Sequence, residues 1–338
     1  MRFEFFDLLH EMIAEGMISA QTRANPSLTI YNYTPRAQYS RTWNEATLQS
    51  RGLILNGAGE IIQRPFRKFF NIEECDTLPA EQFEVTEKMD GSLGILYWAD
   101  DAPSIATRGS FTSDQALRAT QILRTRYQHT FPSLHRNKTY LFEIIYPENR
   151  IVVDYGHTED LILLAIIDIE TGRDLPLEEL GFPLVKRFDG ITDVTALSAM
   201  FRDNAEGFVV RFESGMRAKV KFAEYVRLHR IVTQCSSKVI WEHLSTGQSL
   251  DELLDRVPDE FYQWVRKTTE GLQRQYDEIE AAAKASFHEL KTRKDTALYF
   301  MTQKYSKVLF SMLDKRDYAP IIWKMIKPEF SKPFKNEI

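Results

Sequence analysis

The sequence predicts an α+β fold, in which a domain built on antiparallel sheets at residues 1–238 precedes an all-helical domain at residues 239–338. Short apolar runs typical of β-strands dominate from about residue 28 to 225, with few helical interruptions. After about residue 238 the apolar residues recur instead at helical spacing. Long strand-rich segments with one or two inserted helices are typical of α+β domains with antiparallel sheets.

The elements of the first domain follow from this apolar pattern. Apolar residues at helical spacing predict a short amphipathic helix within residues 1–20 and a second helix from 113 to about 129. Around these helices, apolar runs of strand length occur repeatedly. The candidate strands are 53–55, 83–86, 95–98, 140–145, 162–169, 208–212 and 218–222.

The second domain shows only helical patterns. Apolar residues keep helical spacing between residues 261 and 290, and polar residues fill the opposite face. Further helices are predicted from 295 to about 313 and near 321–326. Basic residues in this domain are interleaved with acidic ones, which is typical of a solvated helix face.

Composition sets limits on the class of protein. With 43% apolar and 27% charged residues, the chain is typical of soluble globular proteins. Its net charge of −5 means that a nucleic-acid partner must be held by a local basic groove. The two cysteines, Cys75 and Cys235, form neither a disulfide framework nor a zinc-ligand cluster. Without a leader-like start or a bilayer-length apolar stretch, we expect an intracellular, cytoplasmic protein that does not bind membranes.

Lys88 is the first candidate catalytic residue. It stands in the run EKMDGSLG at residues 87–94, between two predicted strands. A lysine followed closely by Asp-Gly-Ser is typical of a covalent nucleotidyl-transfer site, and the glycines permit tight turns near phosphates. The alternative is a surface lysine at a hairpin turn, since Asp-Gly is a common turn dipeptide.

Nucleotidyl transfer has definite chemical requirements. The nucleophilic amine must be partly neutral near pH 7, although a free lysine has a pKa of about 10.4. Nearby cations and partial burial can lower that pKa. The α-phosphate needs cations and a divalent metal as pyrophosphate leaves. The nucleoside needs an acceptor for the ribose hydroxyls and an apolar slot for the base.

Three downstream segments could meet these requirements. Lys219 and Lys221 lie two apart in a predicted strand, so both ammonium groups point to one side of it. Glu206 directly precedes a strongly apolar strand. Glu143 is embedded in an apolar strand, where a carboxylate is costly to bury unless something binds it. The alternatives are a solvated edge strand for the lysines and a solvent-exposed strand end for Glu206.

Further cations stand beside turns and aromatic residues. Arg108 occupies a predicted turn, where it could contact a phosphate or a terminal hydroxyl. Arg51 precedes a glycine, and Lys68 lies two residues before Phe70, where a base could stack. Single runs of basic and aromatic residues are nonetheless usually ordinary surface or core.

The order of these motifs resembles a known superfamily. Lys-x-Asp-Gly at 88–91 is followed by Phe-Glu at 142–143, Glu-Gly-Phe-Val at 206–209 and Lys-x-Lys at 219–221. This order is similar to that of the covalent nucleotidyltransferases, which include ligases and mRNA-capping enzymes. The segments SRG at 50–52, RPFRKFFN at 64–71, TRGS at 107–110 and PENRIV at 147–152 resemble the bacteriophage T4 RNA-ligase-1 family over roughly residues 30–230.

The resemblance implies roles for the matching residues. Lys88 would take AMP from ATP as a phosphoramidate. Glu143 would hold the ribose, and Glu206 would help bind the divalent metal. Lys219 and Lys221 would contact the α-phosphate, with Lys221 also orienting the leaving group.

The same resemblance implies the surroundings of the nucleotide. Asp90 and Gly91 would lie beside it, and Asp90 would also help in strand joining. The pocket around the phosphates and base would be lined by Arg51, Lys68 and Phe70. Arg108 stands where the family usually has lysine, so the charge is kept while its geometry changes from a point to a planar fork.

The implied activity is that of a monomeric ATP-dependent RNA ligase of phage or bacterial type, with Mg²⁺ or Mn²⁺. It would join RNA 5′-phosphate and 3′-hydroxyl ends, such as those of a nicked tRNA anticodon loop, and a separate end-healing kinase or phosphatase could prepare them. In tRNA-repair members a helical carboxy-terminal domain recognises the broken loop, but no motif in residues 239–338 matches it residue for residue. The alternatives are a DNA ligase, a capping-type nucleotidyltransferase, and a nucleotide- or tRNA-binding module without turnover.

Overall fold

The computed structural model describes residues 2–24, 27–99, 101–233, 236–256 and 262–329. The chain divides into two compact units, residues 1–232 and 233–338. Within the described residues the strands all belong to the first unit and the second is helical, which confirms the predicted α+β fold class. The predicted boundary at 238/239 falls inside the helix Ser237–Thr246, which begins after its cap Ser236. That residues 1–238 form an adenylyltransferase domain and that residues 239–338 set RNA specificity both stay predictions.

The first unit carries the strands and five of the described helices. The helices are α1 (Arg2–Ala14), α2 (Pro35–Ser40), α3 (Glu45–Gln49), α4 (Asp114–Arg126) and α5 (Ala223–Thr233). The strands are β1 (Ile18–Arg23), β2 (Leu28–Tyr33), β3 (Arg51–Asn56), β4 (Ile61–Gln63), β5 (Phe70–Asn71), β6 (Phe83–Lys88), β7 (Ser92–Ala99), β8 (Ala102–Ala106), β9 (Lys138–Ile145), β10 (Asp160–Asp168), β11 (Asp174–Leu175), β12 (Arg187–Phe188), β13 (Gly207–Phe212) and β14 (Arg217–Lys221).

These strands form three sheets. Sheet I has the order β1-β2-β3-β4, sheet II the order β11-β10-β9-β7-β8, and sheet III the order β12-β6-β13-β14-β5. The strand pairs in these sheets are antiparallel, except that β14 pairs with β5 in parallel. Sheet III therefore brings together strands that are far apart in the sequence.

Sheet II lies between two hydrophobic cores, because its apolar residues point to both faces. On one face Phe142 and Ile144 pack with Ile122 and Leu123 of α4. On the other face Ile95 and Leu141 pack with apolar residues of sheet I. This packing holds β7 and β9 firmly, and the end of β9 carries Glu143.

One predicted helical region is divided in the structure, and two other predicted helices lie within their predicted ranges. The helix predicted within residues 1–20 ends at Ala14, because Gly16 turns the chain with φ at +72° and β1 begins at Ile18. The helical region predicted from 295 to 313 is two helices, because Gln303 has extended backbone angles. The helix predicted from 113 to 129 is α4, whose cap Ser113 accepts a hydrogen bond from the Ala116 amide.

The second unit is described from residue 236 to 256 and from 262 to 329. Its helices are α6 (Ser237–Thr246), α7 (Asp251–Arg256), α8 (Tyr262–Ser286), α9 (Arg293–Thr302), α10 (Ser306–Leu313) and α11 (Ala319–Met325). The predicted helical start at residue 261 lies outside the described residues. A core of Ala283, Phe300, Val308, Leu309 and Ile322 joins four of these helices. Among the described residues, no helix has the length and apolar character that a membrane span requires.

Candidate active site

Lys88 lies at the end of β6, next to the two other charged residues that the motif order predicted beside it. In sheet III, Gly207 of β13 is opposite both Lys88 of β6 and Lys221 of β14. Nζ of Lys88 is 2.6 Å from Oε1 of Glu206, and Nζ of Lys221 is 3.5 Å from the same oxygen. The Glu206 side chain is only 3% exposed, so this carboxylate is held between two cations.

Gly207 allows this close approach. Its φ of +152° favours glycine, and an added Cβ would lie 1.9 Å from the Val220 carbonyl oxygen. A residue with a side chain would therefore separate β13 from β14 at the point where Glu206 meets Lys221.

Glu143 lies across from the loop that follows Lys88. The amide of Gly91 donates to its Oε1 at 2.9 Å. Burial raises the pKa of Glu143 to about 8, while the positive charge of Lys88 acts in the opposite direction. Glu143 is thus a buried carboxyl that can exchange a proton close to neutral pH.

Asp90 is also buried, and it forms hydrogen bonds with distant segments of the same chain. Its Oδ2 accepts the amides of Val152 and Val153, each at 2.8 Å. Its Oδ1 accepts the hydroxyl of Tyr225, and its own amide donates to the hydroxyl of Tyr155. Asp90 therefore joins the loop after Lys88 to the segment around residue 152 and to α5.

Lys68 lies in an aromatic box formed by Tyr33, Trp43 and Phe70. Its Nζ is 5.2 to 5.4 Å from the three ring centres, and the side chain is buried. Arg108 contacts the same Tyr33, donating to its hydroxyl at 3.2 Å and lying 5.1 Å from its ring centre. Tyr33 thus holds two predicted nucleotide-binding cations near each other.

Arg51 interacts both with aromatic residues near this box and with the Glu143 carboxylate. Its guanidinium lies 5.2 Å from the ring centre of Phe69, and Nζ of Lys219 lies 6.0 Å from that centre. The charge of Arg51 also acts on Glu143. The backbone around residue 51 adjoins Tyr33, whose amide donates to the carbonyl of Ser50. Each predicted site residue is therefore linked by contacts to at least one other or to a shared aromatic ring.

The sequence pattern of the RNA ligase family of T4 type 1 matches residues 49–226, which include all the predicted site residues. The chain belongs to the T4 RNA ligase 1 family. This confirms the family expected from the motifs.

Three relatives show how far the similarity extends. A candidate RNA ligase of Thermovibrio ammonificans is 29% identical over 203 residues, covering 54% of this chain and 53% of that protein. A candidate bifunctional polynucleotide kinase/RNA ligase of Autographa californica nuclear polyhedrosis virus is 26% identical over 62% of this chain and 35% of its own length. An RNA ligase of Rhodothermus phage RM378 is 23% identical over 84% of this chain and 81% of its own. The chain thus spans about half the length of the first relative and about a third of the second.

Two solved structures are also similar. The Naegleria gruberi RNA ligase with PPi is 22% identical, with a TM-score of 0.37 over 45% of this chain and 52% of that one. A candidate ATP-dependent DNA ligase from Aquifex aeolicus is 14% identical, with a TM-score of 0.46 over 92% of this chain and 99% of that one.

The donor set fits a divalent metal that is held mainly by a nucleotide. Among the described residues, no group of three or more His, Cys, Asp or Glu side chains could hold a metal ion. Mg²⁺ is usually bound by one or two carboxylates together with substrate phosphates and water. Glu206, the predicted ligand, supplies such a carboxylate, and Glu143 lies close enough to act on it electrostatically.

Sequence reasoning missed the tyrosine and tryptophan residues that support the site. Tyr155 and Tyr225 contact Asp90, while Tyr33 and Trp43 surround Lys68. Tyr225 follows the Lys-x-Lys motif by four residues, and Tyr155 follows the PENRIV segment by three, so the motifs could have indicated both. Tyr33 and Trp43 lie in segments without a motif, and only the folded chain brings them to the site.

Proposed function

We propose that this chain is an ATP-dependent RNA ligase, which joins 5′-phosphate and 3′-hydroxyl ends through a lysyl-AMP intermediate. One observation carries the proposal. Nζ of Lys88, the motif lysine, is 2.6 Å from the buried Glu206 carboxylate, with Lys221 on the same oxygen. A lysine beside a carboxylate and a second cation suits nucleotidyl transfer, because the carboxylate can accept its proton and the cation can neutralise charge on the phosphate.

In the first step, the Lys88 amine attacks the α-phosphorus of ATP. A nitrogen–phosphorus bond forms, the bond from the α-phosphorus to the bridging oxygen breaks, and pyrophosphate leaves. An ammonium group has no free electron pair, so Lys88 must first transfer a proton to the Glu206 carboxylate 2.6 Å away, which can pass it to water.

In the second step, a 5′-phosphate oxygen of the RNA attacks the phosphorus of lysyl-AMP. The nitrogen–phosphorus bond breaks, and the amine of Lys88 takes up a proton. In the third step, the RNA 3′-hydroxyl attacks the 5′-phosphate, loses its proton, and AMP leaves. All three steps are displacements at phosphorus, in which positioning and charge stabilisation supply most of the catalysis.

The cations around Lys88 have distinct parts in this scheme. Lys221 and Lys219 lie on the same side of β14, where they neutralise charge on the α-phosphate. We assign Arg51, Lys68 and Arg108 to the phosphates and base of the nucleotide, with Phe70 as a stacking surface. Glu143 holds a ribose hydroxyl, which suits a buried carboxyl with a free lone pair.

A bound divalent ion, held by Glu206 and the nucleotide phosphates, would neutralise negative charge as pyrophosphate leaves. Either Mg²⁺ or Mn²⁺ suits oxygen ligands of this kind. No other residue role in the scheme depends on which of the two binds.

Labelling with α-labelled ATP tests the first step. Wild-type protein with Mg²⁺ should retain the label through denaturation, and Lys88→Ala should retain none. Lys138→Ala is the matched control, because Lys138 is ion-paired to Glu178 at 2.7 Å and lies outside the site. An unlabelled wild type, or a labelled Lys88→Ala, refutes the proposal.

Comparing donors and acceptors separates the alternatives. Label from GTP in place of ATP would indicate a capping-type enzyme, and sealing of DNA in place of RNA would indicate a DNA ligase. Tight ATP binding without any covalent label would indicate a binding module.

We further propose a role in RNA repair, with a nicked tRNA loop as one substrate class. The viral relative is described as a bifunctional polynucleotide kinase/RNA ligase, which supports end healing as the preceding reaction. A nicked stem-loop with a 5′-phosphate should then be sealed, whereas one with a 5′-hydroxyl should be sealed only after a polynucleotide kinase is added. Sealing of the 5′-hydroxyl form without kinase would contradict this role.

A further inference from the structure

A second cleft lies in the first unit, away from Lys88. It has a volume of about 1090 Å³ and is bordered by α1, β4 and the ends of β7 and β10. Trp98, near the end of β7, lines it, whereas Ser92 at the start of β7 adjoins the Glu143 strand. At about 3.4 Å per residue, Trp98 lies roughly 20 Å along β7 from Ser92. We call this space the β4 cleft.

Flat aromatic side chains form part of its walls. Phe5 and Phe6 of α1 pack edge to face, with ring centres 5.7 Å apart, and both line the cleft. Trp98 lines it from β7, and the guanidinium of Arg136 lies 4.5 Å from the Trp98 ring centre. Aromatic rings and arginine planes of this kind are the surfaces on which unpaired bases stack.

Gln63 supplies the polar group of the cleft. This residue of β4 is fully buried, and within the described part of the chain neither its amide oxygen nor its amide nitrogen has a hydrogen-bond partner. Burial of an amide without partners costs free energy. Because the amide is fully buried, a change of the Gln63 rotamer must first bring it to the cleft. A ligand with an adjacent donor and acceptor then gives both amide atoms a partner, which is how glutamine recognises the edge of a base.

The charged residues of the cleft do not form a phosphate site. Arg64 donates to the Ile169 carbonyl at 2.8 Å and to Oε1 of Gln49 at 3.1 Å. The carboxylates of Glu45 and Asp168 also line the cleft and would repel an anion. The lining thus favours a neutral, planar group over a phosphate.

We propose that the β4 cleft binds an unpaired base of the RNA substrate, several nucleotides from the end that is joined. This inference rests on the proposed RNA ligase function. The base stacks beside Trp98 and pairs its edge with the Gln63 amide, and its backbone stays at the rim near Arg136, which is exposed. RNA that reaches from Lys88 to the cleft is therefore held more tightly than short RNA.

Gln63→Leu tests the proposal without a penalty in folding. Replacement of a buried, unpartnered amide by an apolar side chain of similar size should leave the unfolding midpoint unchanged or higher. The variant should bind a 5′-phosphorylated single-stranded 12-mer about tenfold more weakly than wild type, the loss expected for one base-edge contact. Binding of a trinucleotide, which is too short to span both places, should not change.

Arg118→Ala is the matched control, because Arg118 is a partly exposed arginine paired with Glu159 outside the cleft. It should bind both RNAs as wild type does. Covalent labelling of Lys88 is measured on the same preparations, so that failure of the ligase proposal shows as absence of label. Normal labelling together with equal 12-mer binding by wild type and Gln63→Leu would overturn the β4 cleft proposal, as would equal losses for the 12-mer and the trinucleotide.

Discussion

Tyr225 donates its hydroxyl hydrogen to Oδ1 of Asp90 at 2.8 Å, although 135 residues separate them in the sequence. The other oxygen of Asp90 accepts the amides of Val152 and Val153. Asp90 lies two residues after Lys88, and both of its carboxylate oxygens thus accept hydrogen bonds from distant parts of the chain. We infer that Asp90 is a positioning residue for the Lys88 loop, while its direct part in strand joining stays a prediction.

Tyr225→Phe should loosen this loop. The change removes one hydrogen bond to a buried carboxylate, which is worth about 1–3 kcal/mol. Hydrogen exchange at the Val152 and Val153 amides should become about tenfold faster or more, because local opening then costs less free energy. Labelling of Lys88 should slow but persist, since no group that contacts the nucleotide is removed.

Tyr318→Phe is the control for that experiment. It removes a hydroxyl that donates to Oε1 of Glu280 at the same 2.8 Å, within the helical unit. That pair is more exposed, so the loss should stay below about 1 kcal/mol. Equal exchange at Val152 in wild type and Tyr225→Phe would show that the tyrosine does not stabilise the loop.

The strands that the sequence predicted are those with strongly apolar residues. β9 and β13 are buried along most of their lengths, so their composition reveals them. β1 has four consecutive exposed residues and no apolar alternation, because its role is to pair with β2 through backbone hydrogen bonds. Such edge strands form only when they pair with another strand, and the residues of the edge strand itself do not indicate that pairing.

The sequence likewise predicted only part of the site. The motif order indicated Lys88, Glu206 and Lys221, whose meeting depends on the strand order β6-β13-β14. The aromatic box around Lys68 was not predictable, because Tyr33 and Trp43 come from β2 and from the segment before α3. Tertiary packing alone places those rings around the lysine.

Glu143→Gln should change how stability depends on pH. The pKa of Glu143 is raised from 4.5 to about 8 in the folded chain. Between those values the folded state holds a proton that the unfolded state lacks, so this group makes stability fall as pH rises from 4.5 to 8. The slope is at most about 1.4 kcal/mol per pH unit.

The variant should lack that slope, because glutamine does not titrate and still accepts the Gly91 hydrogen bond. The free energy of unfolding is measured with denaturant at pH 5 and pH 8, for the variant and for wild type. The change between the two pH values is then compared for the two proteins. Glu280→Gln is the control, since the pKa of that partly exposed carboxyl is lowered and it titrates below this window. Parallel pH curves for wild type and Glu143→Gln would contradict the raised pKa.

Lys68→Met should raise the KM for ATP strongly and lower the stability of the folded protein only moderately. Methionine keeps the linear side chain in the aromatic box and removes the charge, which costs about 0.5–2 kcal/mol of cation–π attraction. On the proposed function, the KM for ATP in self-labelling should rise about tenfold, because one phosphate contact is lost. Lys186→Met is the control, since Nζ of Lys186 lies 5.2 Å from the Phe188 ring centre outside the site. An unchanged KM in Lys68→Met would exclude Lys68 from the nucleotide pocket.

Gly207→Ala should abolish labelling of Lys88 and destabilise the first unit. The added Cβ would lie 1.9 Å from the Val220 carbonyl oxygen and 2.8 Å from the Lys221 Cα, and these backbone atoms cannot move without separating β13 from β14. Glu206 would then lose its position between Lys88 and Lys221. We expect a loss of about 3 kcal/mol or more, from steric conflict together with a backbone conformation that alanine disfavours.

Gly271→Ala is the matched glycine substitution in the helical unit. Gly271 lies within α8, and an added Cβ would meet nothing within 4 Å. Alanine there should stabilise the helix by about 1 kcal/mol, because it restricts the unfolded chain more than glycine does. Thermal unfolding and labelling with α-labelled ATP, measured on both variants, distinguish the two sites. A Gly207→Ala protein that labels as wild type does would show that the β13–β14 contact does not position Glu206.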